Sequence, residues 1–262
     1  MTLAPLRAAA ALGFRHHLAY RSEVAIQLVA AGIVAALNGA LWTAAGEATP
    51  TLGGVPTTAV RAGVLVAWAG IGAVATRVHE DMGERFWTGE IAADLVRPIS
   101  LPAMIYARDL GRASASFLVQ AVPLLTISAC FAPLGLPHAP ERWAGWVAAL
   151  LGAHAVNVGL SFSLGIGAFR MGSATGLTHV KATLVSLFAG ALLPLELLSP
   201  TLQAVSRCLP FHLLGRTPAQ VLVGEGPVLP LLAEQAVWAA ALWGLGLWLW
   251  RRTSRSFTIQ GG

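Results

Sequence analysis

Six long apolar stretches, separated by shorter segments rich in charge or in helix breakers, organise the 262 residues of this chain. They run from Val24 to Ala45, Ala59 to Thr76, Ala113 to Gly135, Ala144 to Ala168, Ala182 to Leu198 and Leu229 to Trp250. Each is near the roughly 20 residues that a helix needs to cross a bilayer. The pattern predicts an all-α polytopic membrane protein with six transmembrane helices in one domain covering residues 1–262. The fifth stretch is the shortest and contains Pro194 and Glu196. It is expected to break before the outer surface, where protein or water must satisfy the freed backbone groups.

The segments between the spans add detail. In the arm over residues 1–23, Leu6, Ala10, Phe14 and Leu18 recur every four residues with Arg7, Arg15 and His16 off that row, the pattern of a helix lying in the membrane interface. Between spans two and three, residues 77–112 carry six of the twelve acidic side chains (Glu80, Asp81, Glu84, Glu90, Asp94, Asp109) beside five arginines. That mixture exceeds what topology needs and predicts a docking surface. Within it, Thr88 is placed to cap a short helix whose Ile91 and Leu95 share a face, and which stops at Arg97 because Pro98 disfavours helical geometry in the residue before it. Residues 199–228 alternate breakers (Pro200, Pro210, Pro218, Gly224) with Leu202, Val205, Leu209 and Phe211, and predict short or re-entrant helices at the outer surface before the last span.

Composition confirms lipid as the main solvent: 56% of residues are hydrophobic and 11% charged, against about 25% charged in a soluble domain. The formal charge of +5 does not point to nucleic acid, because the basic residues punctuate apolar runs. Of the 17, thirteen fall in the arm, the loops after spans two and four, and the tail 251–262, whereas the alternate loops hold Arg142, Arg207 and Arg216, with Arg61 at a span edge. The asymmetry places both termini in the cytoplasm. Cys130 and Cys208 have neither zinc-ligand nor disulfide-framework spacing.

Three stretches carry a family resemblance: Leu18-Ala19-Tyr20-Arg21, then Gly89-Glu90-Ile91-Ala92-Ala93-Asp94-Leu95-Val96-Arg97-Pro98-Ile99-Ser100, then Ala107-Arg108-Asp109-Leu110-Gly111-Arg112. Gly190 to Glu196 followed by Leu209-Pro210-Phe211, and the closing Ile259-Gln260-Gly261-Gly262, agree with it. In their order and spacing the chain resembles the six-span permease subunits of bacterial ABC-2 type ATP-binding-cassette exporters. The resemblance implies a multi-pass protein of the bacterial cytoplasmic (inner) membrane. It also implies a second permease subunit, identical or related, that completes the translocation path, and two ATPase subunits that bind ATP and Mg and drive it. The segment from Thr88 to Val96 is then the coupling helix, with Glu90, Asp94 and Arg97 docking the ATPase and Ile91 and Leu95 filling its groove.

The residues also exclude some chemistry. A P-loop needs Gly-Lys-Ser or Gly-Lys-Thr, and the only lysine, Lys181, sits between Val180 and Ala182. The chain is therefore read as a transport subunit without a nucleotide site of its own, binding no cofactor or metal and catalysing nothing itself. His154 and Ser161 fall on one predicted helix about 10 Å apart along its axis, beyond the reach that an intramembrane serine protease needs. Glu196 and Glu234 lie closest to lipid depth. With Arg207 and Phe211 they are candidates for an outer gate or substrate path, and as proton carriers they define the alternative reading, an ATP-independent proton-coupled secondary transporter. Substrate identity is not encoded in these patterns.

Overall fold

A computed structural model describes residues 3–52, 54–96, 99–131, 134–171, 175–192, 194–224 and 226–254, with the side chains of 169–171 and 196 outside that description. The described residues are helical apart from turns and one two-stranded hairpin. Helix α1 (Ala4–Ala19) leads directly into α2 (Arg21–Ala48). The hairpin pairs β1 (Thr51–Leu52) with β2 (Val55–Pro56), Thr51 opposite Pro56 and Leu52 opposite Val55. Gly54 turns it with φ of 84°, a conformation that side chains with a Cβ avoid. Thr57 opens α3 (Thr57–Val74) and its hydroxyl donates to the Thr49 carbonyl at 2.7 Å, closing the turn.

Helix α3 stops at Val74, and the charged segment after it resumes as helix. Ala75 takes an extended conformation, Thr76 Oγ1 accepts from the amide of Val78, and α4 (Val78–Trp87) follows. The amphipathic spacing of Val78, Met82 and Phe86 buries one face of α4 against α8 (Pro140–Met171). At the break, Asn157 Nδ2 of α8 donates to the Val74 carbonyl at 2.8 Å, which supplies the partner that a broken helix needs inside a membrane. Helix α5 (Ile91–Leu95) connects α4 to α6 (Leu101–Ser116).

The third span is α6, a π-helical turn (Phe117–Ala121) and α7 (Val122–Phe131) in one run. Pro123 lacks the amide proton that a regular α-helix would direct to the carbonyl four residues back, which accounts for the widened turn. Gly72 of α3 makes room for the Gln120 side chain, and Ser116 Oγ donates to the Gly72 carbonyl at 2.8 Å.

Helix α8 runs beside α12 (Val228–Ser254). Their partners advance together: Ala149 accepts from Gln235, Ala155 from Trp243, and Gly246 nests against Phe162 and Ser163. The two helices are therefore parallel. Gly152 and Gly159 admit Gln235 and Trp243, so small residues on α8 serve packing within the chain. Because α8 and α12 are parallel, the intervening chain must travel back along the bundle. Helix α9 (Thr175–Phe188) begins that return, but at 14 residues it rises only about 21 Å. The chain then bends at Gly190, forms a 3₁₀ turn (Leu195–Leu197) and lays down α10 (Pro200–Arg207), a second 3₁₀ turn (Pro210–Leu213) and α11 (Arg216–Val223).

Among the described residues, five stretches are long and apolar enough to cross a membrane: Arg21–Ala48, Thr57–Trp87, Leu101–Phe131, Pro140–Ala168 and Val228–Ser254. The fifth predicted span, Ala182 to Leu198, is not among them. Its helix starts at Thr175 and ends at Phe188, ahead of Pro194.

Candidate functional site

At the end of the bundle holding α1, α4 and α5, charge and apolar surface meet. Helix α5 is held from two sides. Ile91 is buried with Val78, Met82, Phe86 and Leu101, and the buried Asp94 forms an ion pair with Arg85 of α4. Glu90 is the residue before the first turn of α5 and is exposed. Thr88 does not cap this helix. It closes α4, its hydroxyl donating to the Glu84 carbonyl at 3.1 Å, and Gly89 (φ 76°) reverses the chain. Trp87, Leu95 and Val96 are 50, 44 and 84% exposed, an apolar tip on an otherwise charged end.

Helix α1 packs along α6. The crossing is close because Gly13 faces the Arg108 carbonyl and Gly111 faces the Ala10 carbonyl, and a Cβ on either glycine would overlap the opposite backbone. Leu6, Ala10 and Phe14 of the predicted row flank the buried Gly13 and His17, while Leu18 stays exposed. Burial, then the Arg112 guanidinium, hold the His17 imidazole below its ordinary 6.5, and its ring contacts Gln27 of α2 at 3.2 Å. Arg77 reaches Glu23 at 3.2 Å, tying the segment after α3 to the start of α2.

Deeper in the bundle lies a buried polar cluster. Lys181 Nζ of α9 donates to Ser161 Oγ of α8 at 2.6 Å. Arg112 Nε donates to Asp109 Oδ1 at 2.8 Å, and the second Asp109 oxygen stands 3.9 Å from His154 Nδ1. His79, on α4, is also buried. The partner of Ser161 is thus a lysine, and His154 turns to Asp109 and Tyr106.

At the opposite end, α10, the two 3₁₀ turns, α11 and the start of α12 enclose a cavity of about 290 Å³ lined by Leu195, Gln203, Ser206, Arg207, His212, Arg216 and Glu234. His212 is buried and reaches Glu234 Oε1 at 3.0 Å. Arg142 of α8 ties this end together, donating to the Val221 carbonyl at 3.3 Å.

The family model for "ABC-2 family transporter protein" matches residues 48–261, most of the chain. The chain belongs to this family. Neither a curated protein nor a solved structure matches it. Membership, with several long apolar helices, makes it an integral membrane protein and a permease component of an ABC transporter, a family whose members work with ABC ATPases.

In the ABC-2 permease, the residues expected at the ATPase contact divide. Glu90 and Leu95 face outward, whereas Ile91 and Asp94 are turned inward and anchor α5; Arg97 lies outside the described residues. The shared face predicted for Ile91 and Leu95 is not formed, because α5 is one short turn whose Ile91 and Asp94 both point to α4 and the core. At the opposite end Arg207 and Glu234 line the cavity together, and Phe211 is buried below it with Phe188 and Leu195. Glu196 sits in the first 3₁₀ turn with its side chain outside the description. Sequence reading missed three features: α4 as a helix, the Lys181–Ser161 contact, and His212 as partner of Glu234. The first was legible in the four-residue spacing of Val78, Met82 and Phe86. The other two join residues 20 and 22 positions apart on different elements, which no local pattern reports.

Proposed function

We propose that this permease is the membrane subunit of an ATP-driven exporter in the bacterial inner membrane. It pairs with a second permease subunit and is driven by two ATPase subunits that dock on the end bearing α1, α4 and α5. The observation that carries the reading is the apolar tip of Trp87, Leu95 and Val96, exposed close in the chain to the exposed Glu84 and Glu90, where water is the natural solvent. The positive-inside asymmetry expected from the sequence, which assigns thirteen of 17 basic residues to the arm, the loops after spans two and four and the tail, supports a cytoplasmic location for it.

In this mechanism ATP and Mg, held by the partners, bring the two ATPases together and push on α5. Ile91 and the Asp94–Arg85 pair make α5 move with α4. Helix α4 packs on α8, and α8 on α12, so displacement at the tip changes the packing that borders the path. Glu90 and Arg97 orient the contact, while Leu95 and Val96 fill the ATPase groove. The outer segment with Arg207, Phe211, Glu196 and Glu234 closes the far end of the path.

The test is affinity purification of the tagged full chain from its host in mild detergent, with mass spectrometry of co-purifying proteins. A P-loop ATPase is expected, its recovery falling about tenfold or more when Leu95 and Val96 are changed to Asp. The Glu90→Ala, Arg97→Ala double variant should uncouple ATP hydrolysis from transport without affecting insertion. Reproducible absence of any ATPase, or recovery indifferent to these changes, overturns the docking surface and favours a proton-coupled carrier.

A further inference from the structure

The contact between His212 and Glu234 contains more acceptors than a neutral imidazole and a carboxylate can serve. His212 Nδ1 lies 2.8 Å from the carbonyl oxygen of Leu209 and 3.0 Å from that of Ser206. A carbonyl oxygen can only accept, so Nδ1 carries a proton and donates. The other ring nitrogen, Nε2, lies 3.0 Å from Glu234 Oε1. A neutral imidazole has one N–H, already committed at Nδ1, so Nε2 would turn a lone pair toward an ionised carboxylate. The contact closes only when one further proton resides on the pair, on Nε2 or on the carboxyl oxygen.

The surroundings fit a proton site. His212 is buried, while the Glu234 side chain is 42% exposed, so the pair reaches water from one side. It borders the cavity of about 290 Å³, whose other charged lining groups are Arg207 from α10 and Arg216 from α11. Gln203 and Ser206 supply neutral polar groups, and the buried Ser206 Oγ has no hydrogen-bond partner among the described residues. Glu196 follows the cavity residue Leu195. The carbonyl end of α10 faces the ring, the end of a helix that attracts positive charge.

We infer that His212 and Glu234 form a proton-binding site that fastens the outer helical segment to α12. The segment over Pro200–Val223 is held when the pair is protonated and loosened when the proton leaves. The inference rests on the geometry of these elements and not on the transport reading, so either can fail without the other.

Glutamine at position 234 separates this from a purely structural contact. A carboxamide N–H can donate to the Nε2 lone pair of neutral His212, making the same bridge without the extra proton. The experiment is hydrogen–deuterium exchange of the full chain in lipid nanodiscs, followed from acidic to alkaline pH and corrected for intrinsic exchange. In the wild type, exchange over residues 200–223 is expected to rise about tenfold on the alkaline side, the scale of one lost charge-assisted hydrogen bond. Glu234→Gln should stay protected throughout with no pH step, and His212→Ala should exchange fast at both extremes. Nitrogen chemical shifts of the His212 ring, labelled in the wild type, report the proton directly and do not depend on how any variant folds. A wild type without a pH step, a step that survives in Glu234→Gln, or ring nitrogen shifts that stay constant across the wild-type step overturns the inference.

Discussion

Asn157 shows how a single polar residue in an apolar helix serves the fold. It is 4% exposed, and its amide donates to the Val74 carbonyl released where α3 stops. Leucine at this position has nearly the same volume and suits lipid better, yet it would leave that carbonyl buried without a donor. Asn157→Leu is expected to destabilise the protein by about 1–3 kcal/mol, the usual cost of an unsatisfied buried backbone group. Ser114→Ala should cost under about 0.5 kcal/mol, because Ser114 is exposed and its hydroxyl only bonds back to Leu110 on its own helix. Thermal unfolding of both variants in nanodiscs measures the difference; equal effects would mean that the break after Val74 does not depend on α8.

Among the elements, α1 depends most on backbone proximity. Gly13 and Gly111 let α1 and α6 approach until each glycine faces a carbonyl of the other helix, where any Cβ would collide with main chain rather than with a side chain able to rotate away. Gly111→Val should therefore weaken the crossing by about 1–3 kcal/mol and release α1 without unfolding the bundle. Limited proteolysis would then cut within Ala4–Ala19 first, while thermal unfolding of the remainder stays near the wild type. What sequence made legible follows the same division between local and distant. The run from Val24 to Ala45 needed only its own apolar length to be read, and it appears as α2. Thr88 was misread because Gly89, not Thr88, reverses the chain, and the Asp94–Arg85 pair that settles which face of α5 turns inward joins two separate helices. The glycine crossing was equally silent, since Gly13 and Gly111 are nearly a hundred positions apart.

At the scale of the whole molecule, the parallel course of α8 and α12 fixes which ends lie together. Trp143 and Arg142 start α8 beside α11, and the far end of α12, where Trp250 meets Phe86, lies beside α4. Glu23 and Arg77 bring the start of α2 to that same end. The N-terminal helix, the α5 tip and the end of α12 must then share one side of the membrane, whichever side it is, and the basic residues select the cytoplasm. Single cysteines test this once Cys130 and Cys208, both exposed, have been replaced. A membrane-impermeant thiol reagent applied to intact cells should label cysteines at Thr51 and Gly226 and spare those at Arg21, Glu90 and Ser254, which react only after the cells are opened. Labelling of Glu90→Cys from outside would invert the orientation and remove α5 from any contact with a cytoplasmic ATPase. Labelling of Ser254→Cys alone from outside would instead contradict the parallel pairing of α8 and α12, because that pairing keeps the end of α12 beside α4.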